Sequence, residues 1–123
     1  PAEKARIAGG VWRAEQEGFL AVGEALRNTA KGMKDRALTG PHDHAQIAEL
    51  GVRGKRRVAH FLDLIEETVT EQPYFAGENF SAADIMAFVT VEFAGWLKLT
   101  IPDTATHAQR WFDTVKARPS AAV

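Results

Sequence analysis

The chain has no cysteine, which removes a disulfide framework, a thiol nucleophile and every thiolate metal site at once. Neither sign of charge dominates: 15 basic residues against 16 acidic ones give no global pull toward nucleic acid or an anionic membrane. No apolar run is long enough to span a bilayer, and the first residues carry no signal-peptide-like apolar segment. Alternating apolar–polar stretches bounded by turn residues are missing, as are internal repeats and low-complexity tracts. A glycine-rich phosphate loop, a Gly-x-Ser-x-Gly elbow and a His-Glu-x-x-His pair are also absent. What is left, 123 residues that are 46% hydrophobic and 25% charged, suits one soluble domain with a single core.

Proline is kept out of every periodic segment. Pro1, Pro41, Pro73, Pro102 and Pro119 fall between four long pieces, as expected if those pieces are helices, because an interior proline costs a helix about 3 kcal/mol. The spacing predicts a first helix over about Ala2–Ala30. Its stripe of small residues, Ile7, Val11, Ala14, Gly18, Ala21 and Ala25, allows close approach of a neighbour. A bulky stripe, Trp12, Phe19 and Leu26, lies on another face. Gly9-Gly10 marks either a kink or a close backbone contact. Thr29 to Asp43 reads as a connector, followed by a second helix over about His44–Glu71 with Val58, Phe61, Leu62, Ile65 and Val69 on one face. Gln72 to Asn79 reads as a loop.

The sharpest local signal is Phe80-Ser81-Ala82-Ala83-Asp84-Ile85. Ser81 is placed as an N-cap, Asp84 as its reciprocal partner three residues on, and Phe80 with Ile85 as the staple across the cap. The helix that follows, Ile85 to Leu97, is nearly uncharged and is expected to be buried. Thr106 and Gln109 suggest a second capping box opening a last helix, with Ala108, Trp111, Phe112 and Val115 inward and an end before Pro119. Four long helices with short turns and one longer connector make an all-α bundle.

Few residues invite chemistry, and each has a plainer account. The spacing of Asp84 from Ser81 assigns it to the cap and not to catalysis. Glu92 is expected to reach solvent or a partner. His42-Asp43-His44 has ligand types without a third and fourth ligand at fixed spacing, so a polar helix entry explains it better than a metal. His60 and His107 have no triad partners. Arg53-Gly54-Lys55-Arg56-Arg57 is read as a solvated face, with Glu49 four residues before Arg53 in the order that favours an ion pair. No catalytic or metal-binding residue is assigned. The remaining candidate is the apolar strip on the first helix, Trp12, Phe19 and Leu26 with Gln16, Val22 and Gly23 beside them, which suits a pocket wall, a subunit contact or core.

The Ser81–Asp84 cap, the Tyr74-Phe75-Ala76-Gly77 turn before it, and the segment from Trp111 to Ala117-Arg118-Pro119-Ser120 resemble the last helical domain of the cytosolic glutathione transferases. Pro1-Ala2-Glu3-Lys4-Ala5-Arg6-Ile7 is similar to the link into that domain's first long helix. The resemblance runs over essentially the whole chain, residues 1–123. It implies that the thioredoxin-like half, which holds glutathione as co-substrate in this family, lies outside these residues. It further implies a cytoplasmic homodimer in which this domain shapes a pocket for a hydrophobic electrophile, with Phe19 facing the cleft and no turnover by the helices alone. No cofactor, nucleic acid or membrane is expected for this chain. Domains resembling this one also join proteins without catalysis in translation factors and tRNA synthetase complexes. A free-standing bundle that binds a small hydrophobic ligand is a third possibility.

Overall fold

The computed structural model describes residues 1–122. The first long helix begins as α1 (Ala2–Arg13), passes through a π-helical segment (Ala14–Phe19) and continues as α2 (Leu20–Arg27). A connector with one 3-10 turn (Lys31–Met33) leads to α3 (Ala48–Thr70), then α4 (Ala82–Gly95) and α5 (Thr106–Lys116), and a final 3-10 turn spans Pro119–Ala122. The four long helical pieces expected from the sequence are all present.

Small residues set how closely the helices approach. A Cβ on Gly54 of α3 would stand 2.5 Å from the Ala25 amide nitrogen, so the α2–α3 crossing needs glycine there. A Cβ on Gly18 would enter the Phe61 ring at 2.7 Å, and one on Gly10 would lie 2.9 Å from the Ala83 Cβ. Gly10 is thus a close contact with α4, while α1 runs through Gly9-Gly10 without interruption. Around these crossings Val22, Val58, Phe61, Ile65, Val69 and Trp111 are fully buried. At about 25 cal/mol per Å², burying such side chains is the main force holding the bundle together.

Three local expectations are corrected. The second long helix begins at Ala48, because residues 44–47 are held in extended backbone. Arg36 and His44 form an isolated bridge, and the Ile47 N–H donates to Asn28 Oδ1 at 2.9 Å. No Thr106–Gln109 box forms: Thr106 is the first helical residue, and Gln109 Nε2 donates to the Ile101 carbonyl. Glu66 of α3 supplies the cap instead, its Oε1 accepting from the Ala108 N–H at 2.9 Å and its Oε2 meeting His107 Nδ1 at 2.6 Å. Finally, α4 is buried on one side only, since Ile85, Val89 and Trp96 are 52%, 46% and 76% exposed.

Candidate functional site

The family-like pieces of sequence converge on Asp84. Its Oδ1 accepts from the Phe75 N–H and from Trp111 Nε1–H, each at 2.8 Å, and its Oδ2 accepts from the Ser81 N–H at 2.9 Å. The Ser81 Oγ accepts from the Ala83 N–H, so the expected capping box is complete. Gly77, at φ +139°, turns the chain as only glycine does readily, with Tyr74 and Gly77 exchanging backbone hydrogen bonds. The Arg118 guanidinium covers the Phe80 ring at 3.6 Å. Asp84 is fully buried with all its bonds made, which leaves it a structural hub without access to a substrate.

The candidate strip on the first helix is split. On an unbroken α-helix Trp12 and Phe19, seven residues apart, would share a face. The π segment between them adds one residue to the turn, an offset of roughly 100°. Trp12, 63% exposed, borders a depression of about 500 Å³ with Gly9, Gln72 and Phe75. Phe19 stands over α4 in a separate trough of about 320 Å³ lined by Val89, Glu92, Phe93 and Trp96. Its ring centroid lies 5.5 Å from that of Phe93, which lies 5.3 Å from that of Trp96, making a row of three aromatics. Val22 is a correction to the strip: it is fully buried in the core and lines no surface. Gln16, Gly23 and Leu26 are half-buried beside it. The sequence reading missed Val89, Phe93 and Trp96 as trough residues, although their i, i+4, i+7 spacing along α4 and its C-cap, Trp96, marks a shared face.

The basic cluster is partly committed. Arg53 and Arg57 both clamp Glu24 of α2, so Arg53 pairs across helices and not with Glu49 as expected. Burial acts to raise the Glu24 pKa, but hydrogen bonds and charge from the two arginines outweigh it and hold the carboxyl below its ordinary value. Glu92 is exposed at the trough's edge. His42 and Asp43 border a polar depression of about 430 Å³ in the connector. Among the described residues no group of three His, Asp or Glu side chains could hold a metal ion, and no helix is long and apolar enough to cross a membrane.

A bundle built around a nonpolar helix whose capped start is tied to a buried tryptophan defines an all-α class of domain. Residues 30–119 match the family described as "Glutathione S-transferase, C-terminal domain", and the chain belongs to it. It is 32% identical over 75 residues to "Glutathione S-transferase 2" of Saccharomyces cerevisiae, a match covering 61% of this chain and 32% of that protein. The crystal structure of Gtt2 from the same yeast superposes with a TM-score of 0.87 at 28% identity, covering 99% of this chain and 56% of that one. A glutathione S-transferase domain-containing protein of Marinobacter aquaeolei VT8 gives 0.85 at 30% identity, covering 98% and 57%. The class Gtt2 glutathione S-transferase of Vibrio parahaemolyticus gives 0.80 at 27%, covering 98% and 53%. The chain therefore spans about a third of the yeast sequence relative and just over half of each of these structures.

Proposed function

We propose that residues 1–123 are one helical domain of a glutathione transferase-like protein, which shapes the pocket for a hydrophobic electrophile and contributes to a homodimer. In the complete protein a thioredoxin-like half would hold glutathione, whose thiolate attacks an electrophilic carbon and displaces its leaving group. The helices' share is to bind the apolar part of that electrophile, orient it and exclude water. The observation that carries this reading is the trough under Phe19: three aromatic rings and Val89, with the single carboxylate of Glu92 at its border. Its volume, about 320 Å³, lies at the small end of ligand pockets and suits a single-ring electrophile. The exposed Ile85 and Val89 continue the apolar surface along α4, which suits docking of the thioredoxin-like half.

The test uses the product of the complete coding sequence. It is expected to conjugate glutathione to chlorodinitrobenzene, while the 123 residues alone give no rate above buffer. Phe19→Ala should raise KM for the aryl halide about tenfold and leave KM for glutathione unchanged, as loss of uniform substrate binding requires. An unchanged aryl-halide KM would remove Phe19 from the pocket. A complete protein with no glutathione-dependent rate, carrying a translation or synthetase segment in place of the thioredoxin-like half, would favour the protein-joining role.

A further inference from the structure

The π segment leaves a backbone group to be accounted for. The Leu20 N–H reaches back five residues to the Glu15 carbonyl, and α-helical spacing resumes through α2. At four-residue spacing the next N–H, that of Ala21, meets Glu17, so the ladder passes over the Gln16 carbonyl. Arg57 reaches that oxygen from α3: its Nη2 donates to Gln16 O at 3.0 Å, and its Nη1 donates to Glu24 Oε2 at 3.0 Å. One planar guanidinium thus spans the junction between the π and α segments, a geometry that a lysine ammonium cannot reproduce.

Both flanks of the segment are fixed. Gly10 lies against Ala83 on one side, and Ala25 lies against Gly54 on the other. One extra residue must be absorbed between them, and an unpaired carbonyl at Gln16 would favour moving the wide turn to another point between the flanks. Such a shift turns the side chains it passes by roughly 100°, and Phe19 is the aromatic inside the π segment. We propose that Arg57 is a positioning residue: by holding the carbonyl that the helix passes over, it fixes the register that sets Phe19 on Phe93. This rests on the reading of the trough as the electrophile pocket. It adds that a side chain on α3, outside the trough, sets the trough's shape.

The test compares Arg57→Met, Arg57→Lys and a deletion of Gln16 in the product of the complete coding sequence. Two quantities are read by NMR: the nuclear Overhauser contact between the Phe19 and Phe93 rings, and the Kd of chlorodinitrobenzene from the Trp96 indole shift. Arg57→Met is expected to lose the ring contact and weaken binding about tenfold, with Arg57→Lys intermediate. Deleting Gln16 removes the extra residue and the carbonyl with it, so Arg57→Met added to that deletion should change neither quantity further. Retention of the ring contact in Arg57→Met, or an equal loss on both backgrounds, overturns the proposal. Should Arg57→Met not fold, Arg57→Lys with and without the deletion decides the same question. If the unaltered protein does not bind the aryl halide while the ring contact still depends on Arg57, the pocket reading fails and the positioning role stands.

Discussion

Asp84 shows how much can depend on one side chain that does no chemistry. Asp84→Ala would leave the Phe75 N–H, the Ser81 N–H and the Trp111 indole N–H without an acceptor in the interior. Each orphaned donor costs about 1–3 kcal/mol, so urea unfolding should show a loss of about 3–9 kcal/mol, well above that of an exposed cap. A loss below about 1 kcal/mol would mean that water replaces the carboxylate. Only the cap itself was legible in the sequence, since Ser81 and Asp84 lie within one turn. The bonds to Phe75 and Trp111 come from 9 and 27 residues away, where no local pattern reports them. Glu66 gave no local signal either, because it caps a helix more than 40 residues downstream. Partial burial acts to raise its pKa, but the Ala108 N–H and the His107 ring outweigh that and hold it below the ordinary value. A depressed folded-state value gives stability that is complete above the ordinary carboxylate range and is lost as pH falls through the lowered one. The stability gap between the unaltered chain and Glu66→Gln should therefore be widest at neutral pH and close below about pH 4.5. Parallel unfolding curves from pH 7 to pH 3 would refute the assignment.

Elements declare themselves through periodicity, and their junctions do not. The apolar faces of α3 and α5 repeat every three or four residues, so their inward residues were placed correctly from the sequence except Phe112, which is only half-buried. The π segment follows no such rule: Ala14, Gly18, Ala21 and Ala25 keep helical spacing across it, and the extra residue shows in the Leu20–Glu15 bond and in the split between Trp12 and Phe19. The glycines separate two cases that look alike in sequence. Gly54→Ala would drive a methyl group into the Ala25 backbone, which cannot move aside as a side-chain tip can. A loss of about 1–3 kcal/mol or more is expected from such overpacking. Gly9→Ala meets nothing within 4 Å in the middle of α1 and should gain up to about 1 kcal/mol from helix propensity. Thermal unfolding of the two variants should move in opposite directions. A shift of the same sign in both would show that the α2–α3 crossing yields.

At the scale of the whole molecule the apolar surface is unevenly distributed. A helix of mixed surroundings normally turns its charged residues outward, yet the open side of α4 offers Ile85, Val89 and Trp96 and a single acid, Glu92. Phe19 adjoins the same side. Isolated exposed apolar residues are ordinary, but four in one contiguous area mark a surface that gains from being covered. Trp12, Leu20, Leu38, Ile47 and Val52 are exposed elsewhere, but charge surrounds Val52 on α3, which presents Arg53, Lys55, Arg56, Asp63 and Glu67 to solvent. Association of this chain by itself should therefore run through α4, and not through α3. At high concentration, light scattering is expected to report species larger than a monomer, and a hydrophobic dye should fluoresce on binding. Val89→Glu with Trp96→Glu should abolish both effects, because each places a charge on the surface being buried. Arg56→Glu on α3 should leave both unchanged. A strictly monomeric chain with no dye binding would mean that the exposed side of α4 is too weakly apolar to recruit a cover. The trough under Phe19 would then have to stand as a pocket without one.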